Sequence, residues 1–440
     1  MNLDLDYTVL DNTESVCPDC LEVVKAQVVV QDKAVYLIKE CSKHGLRTTP
    51  LWPDIEHYNW MREFKLPYVP PISSTKREKG CTYDCGLCTS HLRHPTLVEI
   101  EVTERCNLRC PVCFMGAEES QKAAPPDPEL SAIEYLYKEI LEKSGAQTSI
   151  QLTGGEPTFS PKLLEIVRMG RKIGFEAIEV NTNGVVIGKD PSYIQNLAEA
   201  GISGIYLQFD GLTTEVYKTI RGADLLECKL QAIENCRQAG VQVVLAMTVI
   251  AGINDDQMGK VLEFALQNKD VIAGIAYQPA FGSGRFEVPM EQRLTMGDVI
   301  FKLADQSKGL IQPYDFWPLG CSHPLCSSST YLVEQQGKIE PLTRRLTRQD
   351  YFDSFDPHSP QGSVFLDIAL KKFPELDPGL TIVIMNYMDA LSLDLKRLRE
   401  CSMTVIARDG RIVPFCMYQL SNSEGKKRPE LEAVYGGGKK

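Results

Sequence analysis

Two kinds of hydrophobic pattern follow one another along residues 95–310. Short runs of valine, isoleucine and leucine are typical of buried strands, and the longer amphipathic stretches between them are typical of helices. Strands are predicted at 97–103, 148–153, 177–181, 204–209, 242–250 and 272–278. Helices are predicted at 128–143, 162–172, 193–200, 225–239 and 255–267. Six successive strand–helix repeats predict an α/β fold with a parallel sheet covered by helices.

Composition and charge narrow the class of protein. The chain has 440 residues, of which 43% are hydrophobic, and a net charge of −11. An acidic chain is a poor partner for nucleic-acid phosphates, which require clustered Lys and Arg. The longest apolar runs are too short to cross a bilayer, and the first residues lack the pattern of a signal peptide. We therefore expect a soluble, cytoplasmic protein with no transmembrane segment and no nucleic-acid partner.

Three cysteines directly after the first predicted strand carry the strongest chemical signal. Cys106, Cys110 and Cys113 have the spacing Cys-x3-Cys-x2-Cys. A [4Fe-4S] cluster has four corners, so three thiolates leave one iron open to a ligand that is not protein. Zinc is the alternative metal, because it also favours Cys-x2-Cys pairs.

This cysteine motif, with the aromatic Phe114 beside its last member, resembles the signature of the radical S-adenosylmethionine (AdoMet, SAM) enzymes. The resemblance implies that the open iron chelates AdoMet and that an electron from the cluster cleaves it to a 5′-deoxyadenosyl radical. The six repeats also resemble the partial (β/α)6 TIM-type barrel of these enzymes, in which chemistry gathers at the carboxyl ends of the strands.

The end of the second predicted strand carries a motif for AdoMet. Gly154, Gly155 and Glu156 precede a proline and resemble the GGEP motif of the superfamily. The resemblance implies that this segment holds the methionine end of AdoMet, and glycine would let a ligand approach the backbone closely. A plain strand-to-helix turn is the alternative interpretation.

Polar residues also end the later strands. Asn181 and Asn183 end the third strand, where their amides could bind ribose hydroxyls, although Asn-Gly is also a common turn sequence. Asp210 ends the fourth strand and is predicted either to bind cofactor or to cap a helix. Arg285, in a glycine-rich turn after the sixth strand, could receive a polar substrate group. No single residue is predicted to be catalytic by itself.

The N-terminal 75 residues predict a small metal module. Cys17 and Cys20 form one pair of candidate metal ligands, and Cys41 and His44 form a second pair. The two pairs lie on either side of the strand-like segment 26–38. Three Cys and one His complete a tetrahedral site without a vacancy, which is the structural pattern of a zinc ribbon or a rubredoxin-like knuckle. Zinc is the default metal and a single mononuclear iron is the alternative. Residues 67–75 are rich in Pro and Ser and predict a linker.

Seven further cysteines suggest two auxiliary iron–sulfur clusters. The simplest partition places Cys81, Cys85 and Cys88 in one set and Cys321, Cys326, Cys401 and Cys416 in the other, with the exchange of one member between the sets left open. The remaining cysteines, Cys228 and Cys236, are interpreted as buried apolar residues. His91, near the first set, is interpreted as a surface histidine.

The cysteine segments together resemble a narrower family, the archaeal tetraether lipid synthases and their dihydropterin methyltransferase-like relatives. The resemblance implies a radical enzyme that forms a carbon–carbon bond, on a lipid chain as in the synthases. The alternative is radical methylation of a dihydropterin-like small molecule. An electron donor such as ferredoxin or flavodoxin is expected, and the clusters imply oxygen sensitivity. A hypothesis from another class is a non-catalytic iron–sulfur electron-transfer protein, which would give the Gly-Gly-Glu-Pro segment no role.

These predictions divide the chain into four segments. They are a metal module at 1–75, a cysteine-rich auxiliary cluster segment at 76–94, the radical SAM core barrel at 95–310, and a C-terminal auxiliary cluster region at 311–440.

Overall fold

A computed structural model describes residues 6–117, 126–288, 293–355 and 364–427. The N-terminal module is an antiparallel sheet of four strands in sequence order, followed by one helix. The strand-like segment at 26–38 forms a hairpin, because Asp32 and Lys33 turn the chain with φ angles of 47° and 68°. The elements are β1 (Thr8–Val16), β2 (Val23–Gln31), β3 (Ala34–Cys41), β4 (Gly45–Trp52) and α1 (Ile55–Arg62).

All six predicted core strands and all five predicted helices are present, with boundaries displaced by at most a few residues. Short additional elements lie between them. The core elements are β5 (Leu97–Thr103), β6 (Val112–Cys113), α2 (Leu130–Ser144), β7 (Ser149–Gly154), α3 (Leu163–Ile173), β8 (Ile178–Thr182), α4 (Val185–Lys189), α5 (Pro191–Ala200), β9 (Gly204–Gln208), α6 (Thr214–Arg221), α7 (Leu226–Gln238), β10 (Val243–Val249), α8 (Met258–Gln267), β11 (Ile272–Pro279), β12 (Arg285–Phe286) and α9 (Met296–Gln306).

The C-terminal third contributes strands to the same sheet. Its elements are β13 (Trp317–Pro318), β14 (Ser327–Gln335), β15 (Lys338–Pro341), α10 (Arg348–Ser354), α11 (Val364–Lys372), β16 (Asp377–Met385), α12 (Leu395–Leu398), β17 (Met403–Ile406), β18 (Ile412–Pro414) and α13 (Phe415–Tyr418). Strand β16 pairs with β11 and β17 pairs with β5, both in parallel. The parallel part of the sheet therefore has the order β17-β5-β7-β8-β9-β10-β11-β16.

The sheet curves into a partial barrel. Antiparallel strands extend it at both edges, β14 beside β16 and β18 beside β17. Within the described residues, the outermost strands β13 and β18 do not pair with each other, so the barrel is not closed by hydrogen bonds. This confirms the predicted fold class and shows that the C-terminal third extends the wall of the partial barrel.

Side chains on the parallel strands alternate between the two faces of the sheet. On β5, Val98 and Ile100 are completely buried in the main hydrophobic core. Burying an aliphatic side chain of this size contributes about 1.5–3 kcal/mol. Residues of the opposite parity, such as Glu99 on β5 and Thr153 on β7, line the inside of the barrel. The fold thus buries its apolar side chains under the helices and directs polar ones inward.

The N-terminal module is attached to the segment after β16. Thr13 donates a hydrogen bond to the Asp394 carboxylate at 2.6 Å, and Ser15 donates one to the Leu393 carbonyl at 2.5 Å. The buried ammonium group of Lys39 donates to the Ala390 carbonyl at 2.5 Å. These contacts join two parts of the chain that are more than 350 residues apart in sequence.

Candidate active site

The inside of the partial barrel contains a cavity of about 610 Å³. Each of the eight parallel strands contributes residues to its wall, as does the cysteine loop after β5. Ligand-binding cavities commonly have volumes of about 300–1,000 Å³. The cavity is therefore large enough for a cofactor and a small substrate, and it lies where the sequence predicted chemistry.

Cys106, Cys110 and Cys113 line one end of this cavity, at the carboxyl end of β5. The loop that carries them is fixed by a short antiparallel pair in which Cys113 lies opposite Arg285. Burial raises the pKa of the Cys106 thiol to about 12, so a metal that displaces the proton would be needed to make it a thiolate. Three thiols on one cavity wall are a donor set that fits a [4Fe-4S] cluster with one open iron.

The Arg285 side chain holds the cysteine loop. Its guanidinium donates hydrogen bonds to the backbone carbonyls of Cys110 at 3.1 Å, Gly116 at 3.0 Å and Ala117 at 3.0 Å. From the sequence, Arg285 was a candidate to bind a polar group of the substrate. In the structure its guanidinium instead binds the backbone of the cysteine loop and fixes the position of the loop.

The Gly-Gly-Glu segment packs against the backbone of the same loop. The amide of Gly155 donates to the Thr103 carbonyl and that of Glu156 to the Arg105 carbonyl, both at 2.8 Å. A Cβ atom on Gly154 would lie 2.1 Å from the Thr103 oxygen, and one on Gly155 would lie 2.2 Å from the Arg105 oxygen. Glycine is therefore required here for contact between two backbone segments, in addition to any approach by a ligand.

The Glu156 carboxylate is buried and fully engaged. It accepts hydrogen bonds from the Thr158 hydroxyl at 2.5 Å, the Thr182 hydroxyl at 2.6 Å and the Asn183 amide at 2.7 Å. Glu156 also lines the cavity beside the cysteine loop. It therefore joins the ends of β7 and β8 and presents its segment to the cluster end of the cavity.

Both predicted asparagines lie at this end of the cavity. The Asn183 side chain donates to Asn107 at 2.7 Å and so connects β8 to the cysteine loop. The Asn181 side chain donates to Gln151 at 3.2 Å, while its Oδ1 atom is buried with no hydrogen-bond partner among the described residues. A buried, unpaired acceptor beside a cavity fits a ligand hydroxyl or amine.

Asp210 lies behind the cavity wall. Its side chain is completely buried and forms an ion pair with Arg221, which itself lines the cavity. It does not cap a helix, since α6 begins after Thr213. Nearby, the buried ammonium group of Lys229 contacts the Asn183 carbonyl and the Gln208 side chain. Burial lowers the pKa of Lys229 to about 8.

The middle of the barrel holds polar residues that the sequence analysis did not identify as site residues. Glu99, Gln151, Glu179 and Tyr206 all line the cavity. Burial raises the pKa of Glu99 to about 8 and also raises the pKa of Glu179. The available signal was the presence of carboxylates inside strands that otherwise read as buried, in LVEIEVT and IEVNT.

The N-terminal module brings its four predicted ligands together. Within the described residues, the ligand atoms of Cys17, Cys20, Cys41 and His44 all lie within 4.8 Å of one another. The His44 Nδ1 atom is 3.4 Å from the Cys17 sulfur and 3.5 Å from the Cys41 sulfur. These separations match the edges of a tetrahedron with metal–sulfur bonds of about 2.3 Å. The donor set fits one zinc or one iron ion.

Cys81, Cys85 and Cys88 line a small separate pocket together with Arg399. Burial, assisted by the charges of Cys81 and Cys88, raises the pKa of Cys85. His91, interpreted from sequence as a surface residue, is buried and its Nε2 atom is 2.7 Å from the Cys401 carbonyl. This contact places the cysteine-rich segment beside the C-terminal cysteines.

The C-terminal cysteines have different surroundings. Burial raises the pKa of Cys401, and the neighbouring charges of Cys416 and Cys326 add to the shift. Cys321 instead lines the central cavity. Burial raises the pKa of its thiol, and the nearby charge of Arg93 partly offsets this shift. The other two cysteines, Cys228 and Cys236, lie on helix α7, and Cys236 is buried in the main hydrophobic core.

The combination of motif and fold agrees with known proteins. Residues 100–265 match the radical SAM superfamily, and residues 9–53 match the HMPTM N-terminal zinc ribbon domain. A 7,8-dihydro-6-hydroxymethylpterin dimethyltransferase of Methanocaldococcus jannaschii is 32% identical to this chain, and the alignment covers 92% of each protein. The chain belongs to the radical SAM superfamily. This confirms the predicted superfamily and the prediction of a radical SAM enzyme, for which a [4Fe-4S] cluster and AdoMet are the implied cofactors.

Two further similarities cover smaller parts of the chain. A GTP 3′,8-cyclase of Listeria monocytogenes is 30% identical over 222 residues, which are 50% of this chain and 64% of that enzyme. The crystal structure of Streptococcus suis SuiB bound to precursor peptide SuiA is similar over 69% of both chains, with a TM-score of 0.41 and 12% identity. Among the described residues of this radical SAM enzyme, no helix has the length and apolarity needed to span a membrane.

Proposed function

We propose that this radical SAM enzyme methylates a reduced pterin or a closely similar small heterocycle. The observation that carries the proposal is the polar lining of the barrel cavity by Glu99, Gln151, Glu179 and Tyr206. Polar groups at the base of a site bind a heterocycle with hydrogen-bonding edges, whereas a hydrocarbon chain would leave them unpaired. The relative from Methanocaldococcus jannaschii, a dihydropterin dimethyltransferase by name, supports the same substrate class.

Each predicted site residue has a part in this proposal. Cys106, Cys110 and Cys113 hold the radical cluster, and the cluster supplies the electron that reductively cleaves AdoMet. Gly154, Gly155 and Glu156 shape the end of the cavity where the methionine part would bind. The free Asn181 oxygen accepts a hydrogen bond from the cofactor. Asn183 fixes the position of the cysteine loop through its hydrogen bond to Asn107. Asp210 acts through Arg221, which it fixes in the cavity wall.

The remaining metal sites are also part of the proposal. Cys17, Cys20, Cys41 and His44 hold a structural zinc ion, in agreement with the zinc ribbon match over residues 9–53. Cys81, Cys85 and Cys88 hold one auxiliary cluster. Cys326, Cys401 and Cys416 hold a second, with Cys321 as its fourth ligand or as a thiol facing the substrate cavity. An external donor such as ferredoxin or flavodoxin supplies the electrons.

Carbon–carbon bond formation on a lipid chain is the second candidate function. One side of the cavity favours it, because Val244, Ile275, Val383 and Met385 form an apolar wall on β10, β11 and β16. Polar residues on β5, β7 and β8 line the same cavity, as does Gln278 on β11, so the cavity is not an unbroken apolar tunnel. Methylation of a pterin therefore agrees better with the cavity and with the relative's name.

The test uses anaerobically reconstituted enzyme with AdoMet and dithionite. The candidate substrates are 7,8-dihydro-6-hydroxymethylpterin with a reduced-folate one-carbon donor, and separately an isoprenoid lipid. Mass spectrometry measures 5′-deoxyadenosine and the gain of a methyl group by the pterin. We expect pterin-dependent 5′-deoxyadenosine and a methylated pterin.

The matched control replaces Cys106, Cys110 and Cys113 by Ala and should form neither product. A lipid product without any methylated pterin would overturn the proposal in favour of the second candidate. A protein with its full iron content that forms no 5′-deoxyadenosine with any substrate would overturn both candidate functions. That result would favour the electron-transfer hypothesis.

A further inference from the structure

Three polar side chains form a straight row across the inside of the barrel. Glu99 on β5 is the register partner of Gln151 on β7, and Gln151 is the register partner of Glu179 on β8. Neighbouring strands lie about 4.8 Å apart, so the row is about 10 Å long. All three side chains line the cavity. We call this set the carboxyl row.

The carboxyl row has unused hydrogen-bonding capacity. Gln151 donates to Glu179 at 2.9 Å and accepts from Asn181 at 3.2 Å. Glu99 is only 3% exposed, and no group in the described part of the chain hydrogen-bonds its carboxyl. The charged neighbour that acts on Glu99 is Glu101, another acid. The row therefore contains one buried acid, Glu99, and one partly buried acid, Glu179, and no cation within the described ranges pairs with either.

Such an arrangement costs folding free energy, because buried polar groups are stable only when they are hydrogen-bonded. A ligand that presents adjacent N–H donors would satisfy the row. An ionised carboxylate binds two parallel N–H donors in a bidentate geometry, so a ligand of this kind would favour loss of the Glu99 proton. The 2-amino-4-oxopyrimidine edge of a pterin has this pattern, with a ring N–H beside an exocyclic amine, and guanine shares it.

The position of the row agrees with this role. Asn181 lies two residues beyond Glu179 on β8, toward the cysteine loop, which corresponds to about 7 Å along a strand. Thr153 lies two residues beyond Gln151 on β7 in the same direction. A ring held by its pyrimidine edge at the row would direct its opposite edge toward the cluster end of the cavity.

We propose that Glu99 and Glu179 bind the 2-amino-4-oxopyrimidine edge of the substrate and so determine its orientation and specificity. This inference rests on the proposed function and adds the residues that recognise the ring. Tyr206 and Tyr387 also line the part of the cavity that contains Glu99.

The test measures binding of unreacted ligands to the anaerobic holoenzyme by fluorescence titration, without reductant. The probes are 6-hydroxymethylpterin, its 2,4-dioxo counterpart 6-hydroxymethyllumazine, and guanosine. Wild-type enzyme should bind the pterin at least tenfold more tightly than the lumazine, because the lumazine lacks the amino donor. Glu99→Gln and Glu179→Gln should each weaken pterin binding about tenfold and reduce the preference over lumazine.

Glu101→Gln is the matched control. Glu101 lies on the same strand, but its side chain hydrogen-bonds the Tyr418 hydroxyl at 2.9 Å. Its variant should keep the preference for pterin over lumazine. A purely structural role of Glu99 would weaken all ligands equally and leave the preference unchanged, which would overturn the inference.

The remaining outcomes separate the two proposals. Equal binding of pterin and lumazine by the wild type overturns recognition of this edge even if no variant folds. Methylated pterin with an unchanged preference in Glu99→Gln overturns the inference and leaves the proposed function intact. Binding of guanosine alone supports recognition of the edge and overturns the pterin assignment.

Discussion

Arg221 and Asp210 form a bidentate ion pair behind the cavity wall, with Nε–Oδ2 and Nη2–Oδ1 distances of 2.7 and 2.8 Å. The same guanidinium donates to the Val112 carbonyl of the cysteine loop at 2.9 Å. The pair therefore connects the end of β9 to the segment that carries the proposed cluster ligands. Both side chains are buried, so neither charge can be satisfied by bulk water.

Asp210→Asn should destabilise the protein and impair AdoMet cleavage. The substitution leaves the buried Arg221 charge without its carboxylate, which costs about 3–5 kcal/mol in comparable buried pairs. We expect a loss of that order in the free energy of unfolding, measured by anaerobic denaturant titration, with a parallel loss of 5′-deoxyadenosine formation. Asp270→Asn is the control, because its pair with Arg237 is exposed and should contribute less than about 1 kcal/mol. Equal effects of the two substitutions would contradict the argument.

Gly155→Ala should displace the cysteine loop. The new Cβ would lie 2.2 Å from the Arg105 carbonyl oxygen, so one of the two backbone segments must move. We expect reduced iron content and a weaker cluster signal in electron paramagnetic resonance. Gly240→Ala is the control for backbone strain alone, since its φ is +67° but nothing lies within 4 Å of the added atom. It should lower stability by about 1 kcal/mol and leave the cluster signal unchanged.

The core could be predicted from sequence because its signals are local. Val98 and Ile100 alternate with polar residues on one strand, and the cysteine spacing fits within one loop. The contributions of β16 and β17 could not be predicted in this way, because they depend on pairing with strands far away in the sequence. Strand β16 has two faces, with Val383 lining the cavity and Ile382 in the hydrophobic core.

The site was predictable only where the motif itself carries the chemistry. Gly155 was recognised by its motif, but its contact with the Arg105 backbone requires the neighbouring loop in three dimensions. Asp210 was recognised as polar at a strand end, although its partner Arg221 lies at the far end of the next helix. Glu99 was not recognised, because an acid within a strand usually indicates a solvent-facing position.

Cys41→Ser should remove the metal from the N-terminal module. The substitution deletes one of the four ligands that lie within 4.8 Å of one another, and an incomplete tetrahedral site binds zinc much more weakly. Elemental analysis should show the loss of one zinc per chain with unchanged iron. Cys236→Ser is the control, since that cysteine lies on α7 away from the predicted ligands. Loss of iron in place of zinc would identify the site as rubredoxin-like.

Glu99 should make the stability of the protein depend on pH. Burial, with a smaller contribution from the charge of Glu101, raises the pKa of Glu99 from 4.5 to about 8. Between these values the folded chain retains a proton that the unfolded chain has lost. The free energy of unfolding therefore falls as pH rises from about 4.5 to about 8, and the contribution is fully present only below that window.

Glu99→Gln has no proton to lose and should flatten this part of the stability profile. We expect the variant to become more stable than the wild type above pH 8, by an amount on the order of 5 kcal/mol. Glu101 and Glu179, whose pKa values are also raised by burial, contribute to the residual slope, as do Tyr206 and Tyr387 at higher pH. Lys39 and Lys229, whose pKa values burial lowers, contribute with the opposite sign. Denaturant titrations between pH 5 and pH 9 measure the effect. Identical slopes in variant and wild type would show that water reaches the Glu99 carboxyl and that the carboxyl row is solvated.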